Sequence, residues 1–161
     1  MNEFLDFIKR AIGLLTLLWV LFSFVIGISM VPNDDMEPRM SPGDIVVYYR
    51  LSGFPGSRDV VLLQKNGTEY VGRVVATGGD KVEITKDSVL MVNDNMVVEQ
   101  NIFYSTPLYE GFVDYPLILE EDECFVLSDR REGGEDSRYF GPVKYEDIKG
   151  VLIGLFRRGN L

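Results

Sequence analysis

The sequence predicts a mainly β domain, barrel-like or sandwich in form, behind one N-terminal transmembrane helix. Two observations predict this. From Ala11 to Asn33 no residue is charged and most are large and apolar; about 20 such residues span a bilayer as a helix. Beyond that run, short β-branched and aromatic stretches alternate with glycine, proline and asparagine turn signals. That is the pattern of a closed or two-layered antiparallel architecture.

The elements follow in order. Residues 1–10 end in Lys9 and Arg10 and read as a cytoplasmic tail by the positive-inside rule. Residues 11–32 read as the anchor and 33–161 as an extracellular β domain. A cleaved signal peptide would have a shorter apolar core with small residues at the cut. Gly27 and Ser29 imitate such a site, but the length of the run points to an uncleaved, single-pass anchor in the cell membrane. Asp44–Leu51 is β-branched and aromatic, and Gly53, Pro55 and Gly56 break it. Val60–Gln64 and Glu69–Thr77 flank Asn66-Gly67, a hairpin signal. Gly78-Gly79-Asp80 is a turn before Lys81–Thr85, whose alternation marks a half-buried strand. Val89–Val92 and Met96–Glu99 form a hairpin around residues 93–95. Residues 100–116 are aromatic and irregular, and Glu123–Ser128 is a strand. A polar loop occupies 129–142, and Ile148–Leu155 is the last strand.

Composition removes several function classes. The net charge is −9, and Glu3 and Asp6 cancel Lys9 and Arg10, so the outer domain carries all of it. An acidic domain argues against nucleic acid as a partner. The chain has no histidine, which excludes histidine triads and histidine-ligated metals; no cofactor or metal is expected. Cys124 is the only cysteine, so no intrachain disulfide can form. It sits in an apolar stretch without a partner base and reads as a buried structural thiol.

Three blocks carry the chemistry. Residues 31–44 read Val-Pro-Asn-Asp-Asp-Met-Glu-Pro-Arg-Met-Ser-Pro-Gly-Asp. Residues 70–82 read Tyr-Val-Gly-Arg-Val-Val-Ala-Thr-Gly-Gly-Asp-Lys-Val. Residues 128–141 read Ser-Asp-Arg-Arg-Glu-Gly-Gly-Glu-Asp-Ser-Arg-Tyr-Phe-Gly. In order, they resemble the V-P-x-x-S-M-x-P, Y-V-K-R-V-I-G and G-D-N-R-x-x-S-x-D-S-R segments of type I signal peptidases. A second S-M-x-P string at Ser29–Pro32 lacks the following Gly-Asp and lies at the end of the apolar run; it is a decoy.

The resemblance implies a signal-peptidase-like fold whose active positions are degenerate. The nucleophilic serine falls on Asp35, the general-base lysine on Gly72 and the serine that orients that lysine on Gly134. Arg73 cannot replace the lysine, because a guanidinium does not release its proton. Asn33 falls where the family has a side-chain donor for the oxyanion. Two adjacent carboxylates, Asp34 and Asp35, would point to opposite faces of an extended chain, which argues against aspartic chemistry.

Further implications follow from the family pattern. The retained charged positions imply structural ties, Asp136 with Arg138 and Arg73, with Asp129 among them. Asp35, Met36, Gly72 and Val74 are expected to line a peptide-binding groove, with a hydrated hollow where the lysine is missing. The chain is similar to SipA-type accessory proteins of streptococcal pilus systems. That implies a non-catalytic chaperone or adaptor in sortase-dependent pilus assembly, with pilin subunits and/or sortase as partners. The alternatives are a signal peptidase with substituted catalytic residues or a regulatory partner of an active one. Exposed aromatic clusters often mark interfaces, so Phe103, Tyr104, Tyr109, Phe112 and Tyr115 form a second candidate surface.

Overall fold

The computed structural model describes residues 2–99, 102 and 105–158. An α-helix, α1, runs Asn2–Val20 and continues as one π-helical turn, Leu21–Val25. By length and composition Glu3–Val25 could cross a membrane, and the helix makes no buried contact with the domain. The chain then turns extended at Ile26. Strand β1, Ile26–Met30, pairs antiparallel with β2, Ile45–Tyr49.

This moves the boundaries read from hydropathy. Residues 2–10, taken as a tail, are helical, and 26–30, taken as anchor, belong to the sheet. Hydropathy cannot separate a helix from a strand in an apolar run; periodicity can, and Ile26–Met30 alternates in burial only around Gly27. Gly27 is required there because a Cβ would strike the Tyr48 ring on its cross-strand partner.

The remaining strands are β3 (Val60–Lys65), β4 (Thr68–Thr77), β5 (Lys81–Ile84), β6 (Leu90–Val92), β7 (Asn95–Met96), β8 (Leu117–Ile118), β9 (Glu123–Leu127), β10 (Val143–Lys144) and β11 (Ile148–Phe156). They form a seven-stranded sheet ordered β1-β2-β11-β3-β4-β9-β10 and a four-stranded sheet ordered β7-β6-β5-β8. All pairings are antiparallel. The mainly β class read from the sequence is therefore the observed one. Asn66 and Gly67 both take positive φ, 51° and 83°, in the β3–β4 hairpin, as a type I′ turn requires. The polar loop 129–142 contains one short helix, α2 (Ser137–Phe140), which the sequence pattern did not signal.

Three apolar clusters hold the sheets. Val75, Ala76, Val82, Ile84, Leu90, Leu119, Phe125 and Leu127 join the two sheets. Val61, Leu63, Val74, Cys124, Val126 and Val143 form a second cluster. The third contains Val31, Met36 and Met40 with Val46, Tyr48, Leu62 and Val71. Through it the 31–44 segment is fixed to the large sheet by its apolar residues, which leaves its polar ones to face the loop at 128–137.

Candidate functional site

The 31–44 segment is a closed loop. Its ends are joined by Val31 N–H to the Asp44 carbonyl, 2.8 Å, and Gly43 N–H to the Val31 carbonyl, 2.9 Å. Gly43 takes φ 85° to make that return. The Asp44 carboxylate accepts from the amides of Ser41 (3.0 Å) and Arg158 (2.9 Å), so the Gly-Asp pair of the motif has a structural task. Within the loop, the Met36 carbonyl accepts from Arg39 and Met40, both at 3.1 Å. Met36 is fully buried, and its sulfur lies 3.4 Å from the Asp129 amide nitrogen. The loop thus presents Asp35 to the 128–137 segment.

Asp35 is buried but fully partnered. Asn33 Nδ2 donates to its Oδ2 at 2.6 Å, and the Glu135 amide also faces the carboxylate. Its backbone carbonyl accepts from Arg130 N–H at 2.8 Å. Burial raises the Asp35 carboxyl above the ordinary carboxylate range; the Asn33 and Glu135 donors oppose this, and the charges of Asp136 and Asp34 add to it. Asn33, expected at an oxyanion position, spends its amide on Asp35. Asp34 pairs with Arg130, so the two adjacent carboxylates have separate partners.

Gly72 sits in β4 opposite Val61 of β3. A Cβ built there falls within 3 Å of Val126 Cγ1. The expected hydrated hollow is therefore not found: the Val126 side chain occupies the space a side chain at 72 would enter. Gly134 is equally constrained. A Cβ there would overlap the Ser128 hydroxyl and lie 2.8 Å from the Arg130 carbonyl oxygen, so the loop closes on the glycine. The expected groove also changes character. Met36 and Val74 expose nothing and Gly72 is buried, so their side chains cannot meet a ligand. What is open is backbone: residues 68–72 of β4 pair with β3 alone, since the β9 register begins at Arg73.

The ties are two separate pairs. Asp136 is the N-cap of α2, accepting from the Arg138 amide at 3.0 Å. It also accepts from Arg138 Nε (2.9 Å) and Nη2 (2.7 Å), and Ser128 N–H (3.0 Å) and Oγ (2.8 Å) reach it from β9's end. Arg138 is wholly buried, donates to the Arg131 carbonyl at 2.7 Å and lies 4.3 Å from the Tyr109 ring centre. Arg73, expected on Asp136, instead meets Asp129 through Nε (2.8 Å) and Nη2 (2.7 Å). The reason is position: Arg73 pairs across from Leu127 in the sheet, two residues from Asp129, whereas Asp136 lies beyond the turn. A bidentate fork of this kind fixes geometry as well as charge.

Sequence reasoning missed the partners of Arg131. It is buried, pairs with Glu99, and donates from Nη1 to Thr106 Oγ1 at 2.8 Å. With Arg138, which donates to the Pro107 carbonyl at 3.2 Å, it straps the segment after β7 onto the 128–138 loop. Only the buried, arginine-rich character of the third block could have hinted at this. The strap also revises the aromatic surface. The Tyr109 hydroxyl donates to the Gly134 carbonyl at 3.2 Å, and Tyr115 packs edge-on to Phe125. Phe112 is exposed but stacks on Tyr139. Phe103 and Tyr104 lie outside the described residues.

Cys124 has no exposed surface, and burial pushes its thiol up to about 12, with the neighbouring Glu123 charge adding to the rise. The decoy Ser29 stands on β1, its hydroxyl 3.4 Å from Glu69 Oε2.

Comparison with known proteins agrees with this geometry. The family described as "Signal peptidase, peptidase S26" matches residues 4–156. The chain is 26% identical to signal peptidase IB of Staphylococcus aureus (strain COL) over 169 aligned positions, covering 94% of this chain and 88% of the relative. It is 28% identical to the chloroplastic thylakoidal processing peptidase 1 of Arabidopsis thaliana over 139 positions, covering 76% of this chain but only 39% of that protein's length. Among solved structures, a signal peptidase I from Enterococcus faecalis V583 superimposes with a TM-score of 0.50 at 27% identity, covering 62% of this chain and 97% of that one. A family match that runs over residues 4–156, joined by a solved signal peptidase I with the same kind of fold, shows where the chain belongs: this protein is a member of the signal peptidase family, peptidase S26.

Proposed function

We propose that this chain is a non-catalytic signal-peptidase-like membrane protein, acting as a chaperone or adaptor in sortase-dependent pilus assembly. One observation carries the reading. At the three positions where the family resemblance expects nucleophile, base and orienting hydroxyl, the chain has Asp35, Gly72 and Gly134, and the space beside Gly72 is filled by Val126. A serine–lysine pair needs a nucleophile and an amine kept partly neutral beside it; neither is present at these positions.

Binding without cleavage is supported by the strand edge at residues 68–72. An extended pilin segment could add there by backbone pairing, which needs no nucleophile. Asp35 adjoins this edge through Glu135, whose carboxylate accepts from Tyr70 Oη at 3.2 Å. The helix Glu3–Val25 would hold the domain at the bilayer, with Lys9 and Arg10 on the cytoplasmic side and the domain outside.

A second reading is favoured by the names of the relatives, which are peptidases: this chain cleaves with substituted chemistry. The same assay decides. The full chain in detergent is incubated with a signal-peptide-bearing pilin precursor, and polymer formation is scored in cells carrying pilin and sortase. The proposal expects no cleavage, no polymer when the chain is deleted, and normal polymer with Asp35→Ala. Turnover that Asp35→Ala abolishes would establish the peptidase instead. Polymer formation without the chain would remove the assembly role.

A further inference from the structure

We infer that the strand edge proposed above takes a basic segment: an extended stretch of a partner protein whose lysine or arginine, lying beside Tyr70, meets the Glu135 carboxylate and a neighbouring aromatic surface. The inference rests on the strand-edge reading and names the chemistry of its ligand. Alternation along β4 puts Tyr70 on one face with Gly72 and turns Glu69 to the other, where it pairs with Lys149. A residue of an added strand that lies opposite Tyr70 points its side chain to the Tyr70 face. On that face the Tyr70 hydroxyl donates to Glu135 Oε2 at 3.2 Å.

Glu135 is a carboxylate left without a cation. It is exposed, and the basic side chains of the neighbouring elements are engaged elsewhere. Arg130 pairs with Asp34, Arg138 with Asp136, Lys65 with Asp147 and Lys149 with Glu69. Arg73 and Arg39 both reach Asp129. Arg58 lies with Arg39 and Arg73 along a cleft between the two sheets, and alternation puts Arg73 on the opposite face of β4 from Tyr70. Asp35, behind Glu135, is buried and spends its carboxylate on Asn33 and the Glu135 amide. It adds to the negative field without meeting the ligand. The chain around the site supplies no cation either: residues 87–129 contain ten carboxylates and neither lysine nor arginine.

The rings beside Glu135 fit the same ligand. Glu135 immediately precedes the N-cap of α2, and α2 carries Tyr139 and Phe140. Phe140 packs on Tyr70 with ring centres 5.0 Å apart, and Tyr139 packs on Phe112 at 4.6 Å. Phe112 and Tyr139 remain 56% and 46% exposed. An exposed aromatic face attracts an ammonium or guanidinium group, and the long stem of lysine or arginine covers apolar surface while its head stays with a carboxylate. The loop already uses this contact internally, where the Arg138 guanidinium lies 4.3 Å from the Tyr109 ring centre.

Other side chains at this place are disfavoured. An acidic one would meet the Glu135 charge, with Asp35 behind it, and find no cation to absorb the repulsion. An apolar one would strip water from the Glu135 carboxylate and give it no partner. Backbone pairing along the edge is indifferent to sequence, so discrimination falls to the side chains on the Tyr70 face.

The test uses the full chain in non-ionic detergent micelles and fluorescence anisotropy. The probes are three short labelled peptides of alternating valine and threonine, with one central lysine, glutamine or glutamate. The lysine peptide is expected to bind at least about tenfold more tightly than the glutamine peptide, a difference of about 1.4 kcal/mol, and the glutamate peptide most weakly. Glu135→Gln should remove the preference, and Glu135→Lys should reverse it toward the glutamate peptide. Phe112→Ser should weaken the lysine peptide by about threefold and leave the glutamine peptide unchanged. Glu121→Gln removes another exposed carboxylate, on the turn before β9, and should keep the preference. Equal binding of the lysine and glutamine peptides, a preference that survives Glu135→Gln, or an equal loss in Glu121→Gln would overturn the inference and leave the strand edge standing. No binding of any peptide would overturn it together with the edge. Polymer formation without the chain bears on the assembly role and not on this preference.

Discussion

Removing the Asp136 carboxylate is the most demanding test of the tie that closes the 128–138 loop. Asp136 and Arg138 are 3% and 0% exposed, and the carboxylate receives Arg138 through its amide, Nε and Nη2, with Ser128 from the other side. In Asp136→Ala the guanidinium stays buried and retains two carbonyls, those of Arg131 and Pro107, and the Tyr109 face. Breaking one half of a buried pair costs about 3–5 kcal/mol. The remaining contacts place this variant near the lower figure, about 3 kcal/mol. At about 4 °C per kcal/mol for a domain of this size, the melting midpoint should fall by about 12 °C. Near-ultraviolet circular dichroism of the tyrosines follows the domain, because Trp19 lies in α1. Asp136→Asn should lose nearly as much, since its volume is kept and its charge is not. Asp136→Ala combined with Arg138→Met should melt above Asp136→Ala alone, because the orphaned charge is gone. A fall of less than about 4 °C, or a double variant as damaged as the two single effects added, would refute the tie.

Further expectations concern other parts of the molecule. The folded Asp35 carboxyl titrates above its unfolded value of 3.8, so the native state binds more protons there and stability falls as pH rises between the two values. Asp35→Asn removes this loss: its melting midpoint should gain on wild type as pH is raised from 3.8 upward, and parallel curves would refute the assignment. Gly72→Lys should cost about 1–3 kcal/mol by overpacking against Val126, and Val126→Ala should restore part of it; an unaltered midpoint would show that Val126 moves aside freely. Cys124, with its thiol pushed up to about 12, should resist alkylation at neutral pH until the domain is unfolded. Protease added outside intact cells should degrade residues 33–158 while leaving the N-terminal helix protected; a fully resistant domain would reverse the orientation.

How much of this is legible in the sequence depends on whether the signal is local. Turn chemistry is local, so Asn66-Gly67 locates the β3–β4 hairpin, and period-two patterning locates most strands within a residue or two. Motif order and spacing are also one-dimensional, so the resemblance to the signal peptidase segments can be laid on the sequence, and it is that resemblance which singles out Asp35, Gly72 and Gly134 as the positions of interest. Hydropathy runs the apolar segment on past the end of the helix because Ile26–Met30 is apolar enough for one, and only pairing with Ile45–Tyr49 makes it a strand.

Partners are decided by tertiary structure. The residue opposite Arg73 is Asp129 rather than Asp136 because the β4–β9 register, not sequence spacing, sets which carboxylate the guanidinium reaches. The missing side chain at Gly72 suggested a hollow, but whether space is empty depends on what lies across the sheet, and Val126 lies there. Arg58 and Met96 are far apart in the chain and lie outside the three motif blocks, yet the two sheets bring them to one cleft. Sequence by itself determines backbone preference and the identity of each group; contact between distant groups is a property of the closed sheet, where a single register shift would exchange every neighbour.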